Sequence, residues 1–454
     1  MVPDDAVVVW RFRDLAAYDA LRTPPSDTGA PAAPASASLG AEINLPGLPG
    51  IDRHRPLLEI TLDPSRRADP RFHVLPVENA DLVRKTFADP NLPERHARHV
   101  AVHGAWAAAG WDASVVKRAG RGSGLFPADR GEDWCVSADW PRFVESNLLP
   151  QYVRGETVAG VLKALGVDPQ SIRVTPAGAG ALIDVPGADR VLLVWHRWQR
   201  VTLYGWGDQI RAELLPAEGS ALSNALREAG PESPVALFPE DGAEATLALA
   251  GASGRRVLAL ALRDAGLAWP DAVAKDGFAA LHLDVPGSLY LWSEAVPGDA
   301  SSWPVGIAGK KGALPDLEAF GLPAVAPGLS APLPPGAAPL IAPYGAAAPA
   351  GKVARRAAPS GDVHVVALGI GAETTAERAA ASPALDAVAQ EPAGNASEGR
   401  VVARFRLSRA AAQRLLGKAL ATSGLLAPLS GGDIEGTLAT DGVRLILEAR
   451  RVKT

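Results

Sequence analysis

The pattern of apolar and polar positions is most legible at the two ends of the chain. Ala6 to Arg13 reads as a strand, and Asp14 to about Leu21 as a short helix. Asp14 is a natural N-cap, because its carboxylate can accept from the free amides of the first turn. In the last segment Val443, Leu445, Leu447 and Ala449 alternate with Arg444, Ile446, Glu448 and Arg450. The turn before them, Asp441-Gly442, is a favourable hairpin sequence. One face of that hairpin is apolar and the other mostly polar, so it predicts a sheet covered by helices on one side.

The same order of features recurs inside the chain. Val158 to Gly166 reads as a helix, followed by Pro169, Leu182-Ile-Asp-Val-Pro-Gly187 and Val191-Leu-Leu-Val-Trp195. Leu258 to Gly266 is followed by Pro270, Leu281-His-Leu-Asp-Val-Pro-Gly287 and Leu289-Tyr-Leu-Trp292. A glycine that caps a helix, a proline that stops it and an Asp-Val-Pro-Gly turn make each copy a coherent helix-plus-hairpin unit. A third copy closes the chain: Ala410 to Ala421 as a helix, Gly424, Pro428 and a hairpin over Gly436 to Arg450. Trp10-Arg-Phe-Arg13 and Ala403-Arg-Phe-Arg406 precede the first and last helices alike. The expected fold class is therefore α+β: tandem β-α-β-β modules, antiparallel sheets with helices packed on one face.

Two low-complexity stretches divide the chain. Residues 23–50 are rich in Pro, Ala, Ser and Gly and predict a mobile insertion. Residues 322–361 carry Pro332, Pro334, Pro335, Pro339, Pro343 and Pro349, which fix φ and remove donors, so they predict a linker. The expected organisation is an N-terminal module over 1–130 and duplicated modules over 131–321, dividing near 240. The linker and a C-terminal module over 362–454 follow.

Composition narrows the function classes. At 454 residues, with 47% hydrophobic and 21% charged residues, the chain can bury a sizeable core. A net charge of −5 and the lack of a long basic run argue against nucleic acid as a partner. The single Cys135 allows no intramolecular disulfide and no multi-thiolate metal site. No run of about 18 apolar residues predicts a membrane-spanning helix. No signal peptide is visible, which fits a cytoplasmic chain, or a periplasmic or surface one whose targeting segment has been removed.

Candidate chemistry is sparse. His96, His99 and His103 would share one face of a helix and could ligate zinc, although Arg95 and Arg98 lie among them. The pattern Val100-Ala-Val102 before Gly104 instead suggests a strand, which would scatter the imidazoles. Trp195, Trp198 and Trp206, interleaved with His196, could form a stacking platform for a ligand. Their alternative is to fill a helix–sheet interface. Gly120-Arg-Gly-Ser-Gly124 lacks the Lys-Ser/Thr of a phosphate loop, and Gly369-Ile-Gly371 lacks the third glycine of a dinucleotide fingerprint, where Thr374 stands. No Gly-x-Ser-x-Gly elbow occurs, no cofactor is implied, and Cys135 reads as a small buried residue. Adjacent carboxylates such as Glu132-Asp133 default to solvated surface.

The tandem strand–helix–hairpin order, the Pro-Asp-Asp opening at residues 3–5 and the Ser382-Pro-Ala-Leu385 … Phe405 … Gly436 close resemble uncharacterised bacterial cell-envelope proteins of unknown function. The resemblance is one of layout and brings no catalytic residues. It implies a non-catalytic envelope protein that binds another envelope protein or a small ligand between repeated modules. The alternative is an enzyme, hydrolytic or metal-dependent, with dispersed site residues.

Overall fold

The computed structural model describes residues 2–23, 34–43, 45–63, 70–88, 99–119, 129–145, 198–229, 400–416 and 424–452, and the strands lying between 173–193 and 243–368, with Val257 and Leu260. The chain opens with β1 (Ala6–Phe12), α1 (Leu15–Arg22), α2 (Ala35–Glu42), β2 (Leu57–Leu62) and β3 (Arg71–Pro76). Then come α3 (Ala80–Phe87), β4 (His99–His103), β5 (Trp106–Gly110), α4 (Ala113–Arg118), β6 (Trp134–Asp139) and α5 (Trp140–Glu145). A separate three-stranded sheet holds β7 (Arg173–Ala177), β8 (Gly180–Asp184) and β9 (Val191–Leu193). Next are β10 (Trp198–Gly205), β11 (Gln209–Pro216), α6 (Ala221–Glu228), β12 (Ala243–Leu249), β13 (Leu289–Glu294) and β14 (Val305–Lys310). The chain ends with β15 (Ser330–Pro332), β16 (Gly351–Arg356), β17 (Val363–Leu368), β18 (Arg400–Leu407), α7 (Arg409–Leu416), β19 (Asp433–Thr440) and β20 (Leu445–Val452).

One large antiparallel sheet dominates. Eleven strands run in the order β4-β5-β3-β2-β1-β6-β10-β11-β20-β19-β18. From β18 the ladder continues through β12-β13-β14-β17-β16-β15. This overturns the expected α+β fold of helix-backed modules. Strand outweighs helix, and strands from every predicted module meet in one shared sheet, with β7, β8 and β9 apart from it.

Helices also lie on both faces. On one, α1, α2 and the residue that follows α2 contribute Leu15, Tyr18, Leu21, Leu39 and Ile43 to a core with Val8, Trp10, Phe12, Trp134 and Val136. On the other, Val115 and Val116 of α4 pack with Val9, Leu58, Ile60, Phe72 and Val74. The run Ala6–Phe12 is accordingly buried at every position, as a strand covered twice must be. In β20 both Leu445 and Ile446 are buried, at 2% and 3% exposure, so alternation there does not mark one wet face.

The recurring element is a three-strand meander: β1-β2-β3, β6-β10-β11, β18-β19-β20 and β12-β13-β14. The meanders join like to like, first strand to first strand at β1–β6 and β12–β18, and third to third at β11–β20. The repeat expected 100 residues apart has a different outcome. Most of it lies outside the described residues, and its final strands fall in different sheets: β9 beside β8, but β13 between β12 and β14. Within 23–50, residues 24–33 and 44 lie outside the described residues, while the rest holds α2 and buries Leu39, Ile43, Leu45 and Leu48, where composition predicts mobility. Four apolar anchors suffice to dock a segment that is otherwise small and polar. The 322–361 stretch supplies β15 and β16.

Local signals behave as sequence predicts at the termini. Asp14 caps α1, accepting from the Ala17 amide at 2.7 Å, and α7 and the β19–β20 hairpin stand where the closing helix and hairpin are expected. Aromatic rings lie across glycines on neighbouring strands: Trp134 over Gly205, and Phe405 over Gly436. A Cβ at Gly205 would collide with the Trp134 indole. Gly205→Ala should therefore destabilise the protein by about 1–3 kcal/mol, as overpacking does. Urea denaturation followed by tryptophan fluorescence measures it; an unchanged midpoint would contradict the packing.

Candidate functional site

Strand register assembles an ionic cluster where three meanders meet. Arg11 of β1 pairs with Cys135 of β6, Cys135 with Tyr204 of β10, Tyr204 with Arg211 of β11, and Arg211 with Glu448 of β20. These five residues form one row across the sheet, and period two puts Ser137, Thr202 and Glu213 in the next row of the same face. The segment entering β6 lays Asp129, Arg130 and Glu132 beside this face.

Geometry within the cluster is tight. Arg11 donates to the carboxylate of Glu132, which also accepts from the Arg130 amide at 2.9 Å. Glu213 accepts from three guanidiniums: Arg211 at 2.9 Å, Arg130 at 3.0 Å and Arg444 at 2.6 Å. Arg211 reaches Glu448 at 2.6 Å, and Arg444 also holds Asp441. The guanidinium of Arg130 lies 5.3 Å from the Tyr204 ring centre, and Ser137 and Thr202 share a hydrogen bond of 3.1 Å. Glu132 and Glu213 are almost fully buried, whereas Arg130, Arg444 and Glu448 open towards solvent. Arginines Arg11, Arg130, Arg211 and Arg444 thus face carboxylates Glu132, Glu213, Glu448 and Asp441, with the exposed Asp129 3.9 Å from Arg11.

The thiol and the phenol inside the cluster are held neutral. Burial, then the Glu132 carboxylate, pushes the Cys135 thiol well above its ordinary value, so it stays protonated and weakly nucleophilic. Burial, then Glu213, likewise raises the Tyr204 phenol. Arginine does not act as a proton donor. What the arrangement can do is tie β1, β11, β20 and the segments entering β6 and β20 to one another by charge. Removing one buried partner leaves the others uncompensated, which costs several kcal/mol. Glu213→Gln should lower stability by about 3 kcal/mol or more, read as a shift of the denaturation midpoint; a change under about 1 kcal/mol would show that solvent already screens the arginines.

A second polar group lies on the opposite face. His73 of β3 sits between Glu59 and Ala109 in register and is buried at 5% exposure. Arg22 bonds Glu59 at 2.9 Å and stacks over Trp10 at 4.4 Å. Glu42, Arg71, His73 and Trp111 line a shallow pocket there. Burial depresses His73 below its ordinary 6.5, against the opposing pull of Glu59 and Glu42; Arg71 and Arg22 add to the lowering. The unfolded chain therefore binds the extra proton. The stability that neutral His73 confers is full above about pH 6.5 and is lost as pH falls from there towards its lowered folded value. His73→Leu should lose less stability than the parent between about pH 7.5 and pH 5, measured by denaturant titration. Equal losses would place His73 in a solvated environment.

The residues singled out by sequence are distributed otherwise. His99 and His103 occupy the two ends of β4, about 13 Å apart along an extended strand, while His96 lies outside the described residues. Among the described residues no group of three His, Cys, Asp or Glu is placed to hold a metal. Trp198 is buried at the start of β10, and Trp206 follows its end, stacked on Tyr204 at 6.0 Å. Trp195 and His196 lie outside the described residues. Cys135 is buried and free, as composition suggests. Glu132, expected on the surface, is 3% exposed. The cluster leaves two traces in sequence: Arg11 in an apolar run, and charges set two apart within a strand, as in Arg211-Ala-Glu213. Comparison with protein-family profiles, curated proteins and solved structures finds no match for this chain. No helix among the described residues is long and apolar enough to cross a membrane.

Proposed function

We propose that this is a non-catalytic binding protein, and that it takes an extended segment of a protein partner along the β4 edge of its large sheet. The observation that carries the reading is a difference between the two ends of the ladder. At one end β15 is three residues long and closes on Pro332, both devices that blunt an edge. At the other, β4 runs five residues, His99-Val-Ala-Val-His103, with neither proline nor lysine. Its one ladder partner among the described residues is β5.

The edge is supported for docking. α3 and α4 both lie against β4. Val100 and Val102 pack into one core and Ala101 into the other, so the strand is held flat and extended before any partner arrives. Preorganisation of that kind reduces the entropy lost on strand addition. The buried ionic cluster supports the non-catalytic part of the reading, since its charges are committed to one another and its thiol and phenol are held neutral.

A phage-displayed peptide library selected against the protein tests this. The expected winners are extended peptides with alternating apolar residues, and their binding should slow amide hydrogen exchange in β4. Peptides that leave β4 exchange unchanged, or selection of no peptide by a chain whose β4 amides also exchange freely at every concentration, would overturn the reading.

A further inference from the structure

We infer that the segment which β4 takes is β4 of a second copy of this chain, giving a two-fold dimer with a continuous sheet; this rests on the edge reading above. The sequence of β4 is a palindrome, His99-Val100-Ala101-Val102-His103. Antiparallel pairing of two such strands about Ala101 puts Ala101 opposite itself, Val100 opposite Val102 and His99 opposite His103. Each side chain then meets one of its own size across the ladder. Such cross-strand pairs are the unit by which sheets are stabilised. A five-residue strand that reads the same in both directions is self-complementary under a two-fold axis, the symmetry of an isologous dimer.

Two further observations point the same way. The sheet within the chain is already built by antiparallel joins of equivalent strands, at β1–β6, β12–β18 and β11–β20. Pairing β4 with its copy extends that rule across the edge. Moreover, the exposed large apolar side chains among the described residues are Leu82, Trp111, Val443 and Leu447. Two of these flank β4. Leu82 stands on α3, which lies against β4, and Trp111 follows Gly110, the β5 partner of His99. A two-fold through Ala101 brings α3 and α4 of both copies towards the axis. That adds side-chain burial to a ladder which alone is too short for a stable interface.

Sedimentation of the full chain over a range of concentrations tests the inference, with two variants. The mass should double as concentration rises. His99→Lys/His103→Lys changes exposed positions, so the fold is kept, while lysines come to face one another across the axis. Association should weaken by about tenfold or more. Ala101→Cys places thiols opposite each other at roughly 4.5–5.5 Å between Cβ atoms, and a short bismaleimide should link them into a dimer. The buried Cys135 leaves the parent chain unlinked as the control. A chain that stays monomeric at every concentration, or a dimer indifferent to the lysines and not linked through position 101, overturns self-pairing. Should peptides protect β4 while the chain stays monomeric, the edge reading stands and the occupant is another protein. If β4 is protected by neither, the edge reading itself fails.

Discussion

The constraint on which this structure depends is that a strand buried on both faces must satisfy its backbone through both edges. Water cannot reach the amides of β1, whose seven residues are all buried, so β2 and β6 must supply the partners. The same demand passes outward from strand to strand and makes one sheet of what could have been several. Helices do not divide it, because they cover faces and cannot complete ladders. It also explains why the meanders join through equivalent strands. A first strand with one edge paired inside its own meander has one edge left, and another first strand has the same need.

This is also why the sequence misled about architecture while describing its pieces well. Asp14, the β1 pattern and the Asp441-Gly442 turn are decided by residues a few positions apart, and they form as expected. The identity of a neighbouring strand is not encoded locally. Ala-Arg-Phe-Arg before α7 looks like Trp-Arg-Phe-Arg before α1 because both belong to first strands, yet nothing in either names β12 or β6 as its partner. Glycine shows the same limit: Gly205 and Gly436 look like strand weaknesses until the rings of Trp134 and Phe405 are seen lying across them.

The ionic cluster was legible only as anomalies. Arg11 stands in an apolar run, and Arg211 and Glu213 punctuate β11 with charge where a half-buried strand would place them outward. The default reading as solvated surface fails because the face is covered, and five strands from distant parts of the chain contribute to it. By contrast, the scattering of His99 and His103 follows from the strand geometry of Val100-Ala-Val102, a signal visible in the sequence itself. Helical spacing argues for their convergence; the extended rise of about 3.3 Å per residue decides against it.

Ionic side chains inside a sheet are a poor source of net stability, since desolvation offsets much of their attraction. Their physical role here is better argued through register. Arg211 and Glu213 share a face because they are two apart. A slip of one residue against β10 or β20 would turn both towards the layer formed by Trp10, Val136 and Leu203, away from Glu448, Arg130 and Arg444. An apolar strand forced into the same slip would lose only part of its burial, because the sheet is covered on both sides. Charge therefore supplies the discrimination that two-sided burial gives up. It does so where meanders of different origin meet, the place at which local turns cannot fix alignment. At β4 no such charge is present, and the alignment of any added strand must be set by the sizes of Val100, Ala101 and Val102 and the reach of the histidines at its ends.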